Sequence, residues 1–163
     1  MKPQVTAVLF TILFSLCCWT ASAQNNDSPI IDAYISRQAR REQGEEYREA
    51  RKVVVGDVTH DGVPETVVLY TIESQGGRNL YIQYLAVFTP RNRKLSPLTH
   101  VEVGGKSVRS VELRSVENNS ILLNTMSYGP NDPQCCPTVK GTTKYVLGGK
   151  TLHEQKQKAA KRR

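Results

Sequence analysis

Two runs decide the fold of this chain: Val63-Pro64-Glu65-Thr66-Val67-Val68-Leu69-Tyr70-Thr71-Ile72-Glu73 and Asn79-Leu80-Tyr81-Ile82-Gln83-Tyr84-Leu85-Ala86-Val87-Phe88-Thr89. Both are rich in β-branched and aromatic residues, and both stay apolar on consecutive positions. A strand with one wet face alternates polar and apolar residues; a strand covered on both faces does not. The two runs therefore read as a central strand pair. Gln75-Gly76-Gly77 between them suits a hairpin turn with positive φ.

Working outward, the pattern stays β. Val53-Val54-Val55 is a short buried-strand run, and further strands are predicted over 98–103, 107–116, 120–128 and 142–147. Turn chemistry separates them: Arg91-Asn92-Arg93, Gly104-Gly105, Asn118-Asn119 and Gly148-Gly149. Six or seven strands in series joined by tight turns predict an antiparallel β-meander. Upstream, Ser28-Pro29 offers a capping oxygen followed by a first-turn proline. Ile30, Ile31, Tyr34, Ile35 and Ala39 then recur at helical spacing, which predicts a helix over 29–42. The fold class is α+β, a β-meander covered by an N-terminal helix in two layers.

The whole chain has 163 residues, with 22 Lys and Arg against 15 Asp and Glu for a net charge of +7. Its length suits one domain, and its 39% hydrophobic content excludes a collagen, a low-complexity polymer or a wholly disordered chain. Residues 1–23 read as a secretory signal peptide. Lys2 is the positive start, 5–19 is mostly apolar, and Ala21-Ser22-Ala23 is a small-x-small cleavage pattern. The apolar run falls short of the ~20 residues of a membrane span, so no transmembrane segment is expected after processing. The expected organisation is a signal peptide at 1–23, an N-terminal helical segment at 24–52, a β-rich domain at 53–149 and a basic tail at 150–163. The expected location is periplasmic or secreted. Cleavage removes Cys17 and Cys18 and leaves only Cys135 and Cys136.

Two segments carry chemistry. In Gly56-Asp57-Val58-Thr59-His60-Asp61-Gly62-Val63-Pro64-Glu65, oxygen donors fall on alternate residues: Asp57, Thr59, Asp61, the Val63 carbonyl and Glu65. A curled loop can turn such a series inward. Ca²⁺ takes about 6–8 oxygens, and Gly62 permits the positive-φ turn that wraps chain around an ion. The alternative is a tight turn in which the Asp side chains accept bonds from backbone amides, with no ion. The second segment is Tyr128-Gly129-Pro130-Asn131-Asp132-Pro133-Gln134-Cys135-Cys136-Pro137-Thr138. Three prolines and a glycine exclude regular structure. A disulfide between Cys135 and Cys136 would stiffen the loop, in an oxidising compartment that favours it. Two buried thiols, or a reactive pair, are the competing readings. A thiolate nucleophile needs a neighbouring base, and His60, His100 and His153 stand at no recognisable spacing from the pair.

The acidic loop resembles the calcium loops of FG-GAP-type repeats, whose pattern is Asp-x-Asp/Asn-x-Asp-Gly-x-x-Asp between two strands. Thr59 and Glu65 depart from that pattern, and the single copy excludes a propeller. The wider series, from the acidic loop through Val87-Phe88-Thr89-Pro90 and Val103-Gly104-Gly105-Lys106 to Cys135-Cys136-Pro137, resembles small secreted bacterial proteins with no assigned activity. The resemblance implies a compact exported domain and no reaction.

The expected function is an exported, non-enzymatic β-rich module that binds an envelope protein or polymer. Its rival is an enzyme, either a thiol-redox protein using Cys135 and Cys136 or a hydrolase using Asp57, Asp61 and His60. The tail over 150–163 holds six basic residues against Glu154. It predicts weak attraction to anionic surfaces. No aromatic residue interleaves with the charge, so no specific nucleic-acid recognition is expected.

Overall fold

The computed structural model describes residues 29–74, 80–92 and 94–155. Helix α1 spans Pro29–Arg41, and nine strands follow: β1 Gly44–Glu46, β2 Lys52–Gly56, β3 Glu65–Ser74, β4 Tyr81–Arg91, β5 Lys94–Gly105, β6 Arg109–Glu117, β7 Ser120–Ser127, β8 Val139–Gly148 and β9 Thr151–Gln155. All pairings are antiparallel. The hydrogen-bonded order is β1-β3-β4-β5-β6-β7-β8-β9, with β2 also on β3. The architecture is α+β and meander-like as expected, but with nine strands among the described residues rather than six or seven. The signal-peptide segment, the Gln75-Gly76-Gly77 turn and residues 156–163 lie outside the described residues.

The alternation of β3 and β4 explains the architecture. Val67, Leu69, Leu85 and Val87 point to one face, and Val68, Tyr70, Ile72, Tyr84, Ala86 and Phe88 to the other; most are fully buried. The second face is covered by Ile31, Ile35 and Ala39 of α1. The first is covered by Val111 and Leu113 of β6, Ile121 and Leu123 of β7, Tyr145 of β8 and Leu152 of β9. The meander is therefore folded on itself. The expectation of two layers is corrected to three: helix, first half-sheet, second half-sheet.

The fold-over happens between β5 and β6, whose pairing is limited to Gly105 with Arg109. β6 then crosses the first half-sheet. Its Val111 meets Gln83 of β4, and its Val116 lies where a Cβ on Gly56 of β2 would sit, 2.7 Å away. The Gln83 side-chain amide replaces the missing strand partner. Its Nε2 donates to the Val111 carbonyl at 3.0 Å, and its Oε1 accepts from the Val111 N–H at 2.8 Å. Gln83→Leu keeps the volume but orphans a buried donor and acceptor. It is expected to lower unfolding free energy by about 2 kcal/mol in a urea titration.

Sequence boundaries shift at both ends. The β-rich region begins at Gly44, not 53, and the helical segment expected over 24–52 also holds β1 and the 3-10 turn Arg48–Ala50. Gly44 is required there, because a Cβ would run into the Glu73 carbonyl and Ile72. The first residues of the expected basic tail form β9 on β8. Glu154 fixes that strand: it accepts two bonds from Arg109 at 2.9 Å each, one from Thr143 Oγ1 at 2.7 Å and one from Tyr145 Oη at 3.1 Å. The Arg109 bonds, which outweigh burial, hold its carboxyl down at about 2 against the usual 4.5. A depressed carboxylate contributes stability that is present above its unfolded value and fades as pH falls through the folded one. The melting temperature is thus expected to drop between pH 4.5 and about 2. In Glu154→Gln that part of the acid slope is expected to flatten.

Candidate functional site

The acidic loop joins β2 to β3 just beyond the Gly56/Glu65 rung. Its shape follows from two carboxylates. Asp57 Oδ1 accepts from the backbone N–H of His60 at 2.6 Å and of Asp61 at 3.3 Å, and its Oδ2 accepts from Gly62 at 3.0 Å. Asp61 Oδ1 takes the N–H of Val63 at 2.8 Å. His60 at φ 62 and Gly62 at φ 81 both sit in the left-handed region that lets the chain curl this tightly. Glu65, completely buried at the start of β3, reaches back. Its Oε2 accepts from the N–H of Val58 at 2.9 Å and of Thr59 at 3.1 Å, and Thr59 Oγ1 donates to its Oε1 at 3.3 Å. Val58, 3% exposed, is thereby anchored in the core.

Six backbone N–H groups are satisfied by these three carboxylates. Of the expected cation ligands, Thr59 and Glu65 are brought together, and Asp57 and Asp61 are turned to amides. A cation entering here would compete with N–H donors already aimed at Asp57 and Glu65. Among the described residues, no three His, Cys, Asp or Glu side chains form a group that could hold a metal. His60 contributes its backbone to the loop, through the bond to Asp57.

The second loop connects β7 to β8 at the far end of the molecule. Cys135 and Cys136 are disulfide-bonded, with Cα atoms 3.8 Å apart, and both are exposed. Their loop is braced by residues whose part was not read from the sequence. Asp132 accepts from the N–H of Gly129 at 2.7 Å and of Thr138 at 2.8 Å, and from Thr138 Oγ1 at 2.9 Å. The Gly129 amide and then Thr138 hold its carboxyl below the usual carboxylate range. Tyr128 Oη donates to the Gln134 carbonyl at 2.8 Å, and the Cys136 N–H donates to the Pro133 carbonyl at 3.0 Å. The run Asn131-Asp132-Pro133 was the available signal, because Asp readily bonds nearby backbone in turns.

Exposed apolar side chains gather at this end. The rungs Arg109/Ser127 and Ser127/Val139 place Val108, Tyr128 and Val139 at the same end of the sheet, Val139 on one face and Val108 and Tyr128 on the other. The Lys106 N–H donates to the Tyr81 carbonyl at 3.1 Å and brings in the start of β4. Val108 is 58% exposed, Val139 49% and Leu80 45%. No family model, curated protein or solved structure matches this chain. No described helix is long and apolar enough to cross a membrane.

Proposed function

We propose that this chain is an exported, non-enzymatic binding module of the cell envelope, whose contact surface is the Cys135–Cys136 loop with Val108 and Val139 beside it. The observation that carries the reading is a braced loop with an exposed disulfide, at the same end of the sheet as the exposed side chains of Val108 and Val139. Loops on rigid scaffolds are where recognition concentrates, and a pre-stiffened loop loses little freedom on docking. The partner is another envelope protein or a polymer. The Asp57 loop is a structural pin in this reading, with Ca²⁺ as its candidate additional ligand.

The test is affinity capture from an envelope extract. Capture by the wild type is expected to vanish with Val108→Asp/Val139→Asp and to persist with Lys144→Gln. Equal capture by all three would remove the surface from consideration. Insulin reduction assayed in parallel, with Cys135→Ser/Cys136→Ser as control, tests the redox alternative. Calorimetric titration of metal-stripped protein with Ca²⁺ tests the loop: heat with a raised melting temperature assigns an ion, and neither assigns an amide-pinned turn.

A further inference from the structure

At the other end of the sandwich, the β4–β5 hairpin and the β8–β9 turn enclose a cleft of about 340 Å³ lined by Thr89, Pro90, Arg91, Ser96, Pro97, Leu98 and Lys150. Its charged lining residues, Arg91 and Lys150, are both cations. Neither has an ion-pair partner among the described residues. Thr89 and Ser96 face each other across the hairpin, two rungs inward from Arg91 and Lys94. Residues directly opposite in a sheet point to the same side, as do residues two apart on one strand, so Thr89, Ser96, Arg91 and Lys94 share one face, with Thr89, Ser96 and Arg91 lining the cleft. Like charges placed opposite each other are unfavourable. The hairpin nonetheless sets Arg91 against Lys94, and the β8–β9 turn brings Lys150 alongside.

The hairpin's shape adds to this. The register of β4 and β5 slips between Val87 and Phe88, so that Leu98 is an extra residue on β5. Such a bulge bends its strand and re-aims the side chains beyond it, here Ser96. Pro90 and Pro97 lack N–H groups and hold the walls stiff. Lys150 follows Gly149, whose φ of 62 makes the tight turn that carries the lysine to the cleft.

We propose that this cleft binds the phosphate group of an anionic ligand, with Arg91 and Lys150 pairing its charge and Thr89 and Ser96 donating hydroxyl hydrogen bonds. Guanidinium gives paired donors, ammonium gives a point charge, and the hydroxyls fill the remaining oxygens. The phosphate is that of a soluble phosphorylated molecule or of a lipid headgroup.

The two sources are separated by two probes. Inorganic phosphate is titrated into the purified protein and followed by amide NMR shifts. Vesicles of phosphatidylglycerol, with phosphatidylcholine vesicles as control, are used in co-sedimentation. Shifts at Thr89, Arg91, Ser96 and Lys150 are expected with phosphate. Arg91→Gln and Lys150→Gln are each expected to weaken binding about fivefold, and Lys140→Gln, at the Cys135–Cys136 end, to leave it unchanged. Binding to the acidic vesicles alone, with the same ranking of variants, assigns a lipid headgroup. No binding to either probe overturns the proposal. So does equal weakening by all three variants, which means net charge alone. So does vesicle binding that Arg91→Gln and Lys150→Gln leave intact and removal of residues 156–163 abolishes.

Discussion

Arg51→Met is expected to cost about 3–4 kcal/mol of unfolding free energy. Arg51 is only 3% exposed, yet it carries a charge. It sits just before β2 and fastens three segments. Its Nε and Nη2 donate to the two oxygens of Glu46 on β1 at 2.7 and 2.5 Å, and its Nη1 donates to Asp32 on α1 at 2.6 Å. Arg48 donates to the same Asp32 oxygen at 2.6 Å. The pair with Glu46 is bidentate, the strongest common geometry for these groups. Met fills the stem's volume but takes the Arg51 cation away from Glu46 and leaves Asp32 with Arg48. The penalty is mostly the uncompensated charge of Glu46, since the net worth of a buried pair is small. Asp32 is more open to solvent than Glu46, so water screens part of its share.

Two further measurements separate this account from simple loss of packing. Arg51→Lys keeps the charge and loses the fork, so an intermediate cost is expected. Asp32 responds to pH in a defined direction. Burial pushes its carboxyl up, but the bonds from Arg48 and Arg51 outweigh burial and hold it below the usual 3.8. Its contribution is then present above that value and fades as pH falls through the lowered one. Arg51→Met is expected to show a shallower loss of stability on acidification than the wild type. Parallel acid profiles would mean that the two charges are not coupled.

The same cluster shows where sequence reading stops. The helix, the central pair and five other strands were legible because each is a local pattern: a 3.6-residue stripe, or a run apolar on both faces. β1 was not, because Gly-Glu-Glu has no strand character of its own. It is a strand because Arg51, five residues on, neutralises Glu46 and because β3, more than twenty residues on, offers a free edge, and neither shows in the three residues themselves. β9 was hidden for the same reason. Thr151-Leu152-His153-Glu154-Gln155 has one apolar residue, and Glu154 looks like a tail charge until Arg109, 45 positions earlier, reaches it. The third layer was missed because one glutamine, Gln83, stands in for a strand at the fold-over. An isolated polar residue in an apolar run gives no hint that its amide pairs with Val111. At the site, the turn chemistry of 57–65 was readable. Glu65 was readable as an inward-turned oxygen donor, but its service to the Val58 and Thr59 amides was not, because an alternating series of oxygens reads equally as a ligand set.

Glu65→Ala is therefore expected to have the other large effect, about 3–4 kcal/mol of unfolding free energy. Truncation leaves the amides of Val58 and Thr59 without their acceptor at a fully buried position, and it opens a cavity under Val58. Glu65→Gln separates the two roles this residue could play. The glutamine carbonyl oxygen can replace Oε2 and accept from both amides. Its NH₂ then faces Thr59 Oγ1, which rotates from donor to acceptor because a hydroxyl serves as either. An amide-pinned loop thus tolerates Gln with a loss of about 1 kcal/mol. A cation site does not, because a neutral amide withdraws one of its three carboxylates and Ca²⁺ affinity follows ligand charge. Paired melting curves of wild type and Glu65→Gln, with and without Ca²⁺, divide the readings. Curves shifted slightly and equally in both conditions mean that the carboxylate serves the backbone. A Ca²⁺-dependent rise in the wild type that disappears in Glu65→Gln means that it serves an ion.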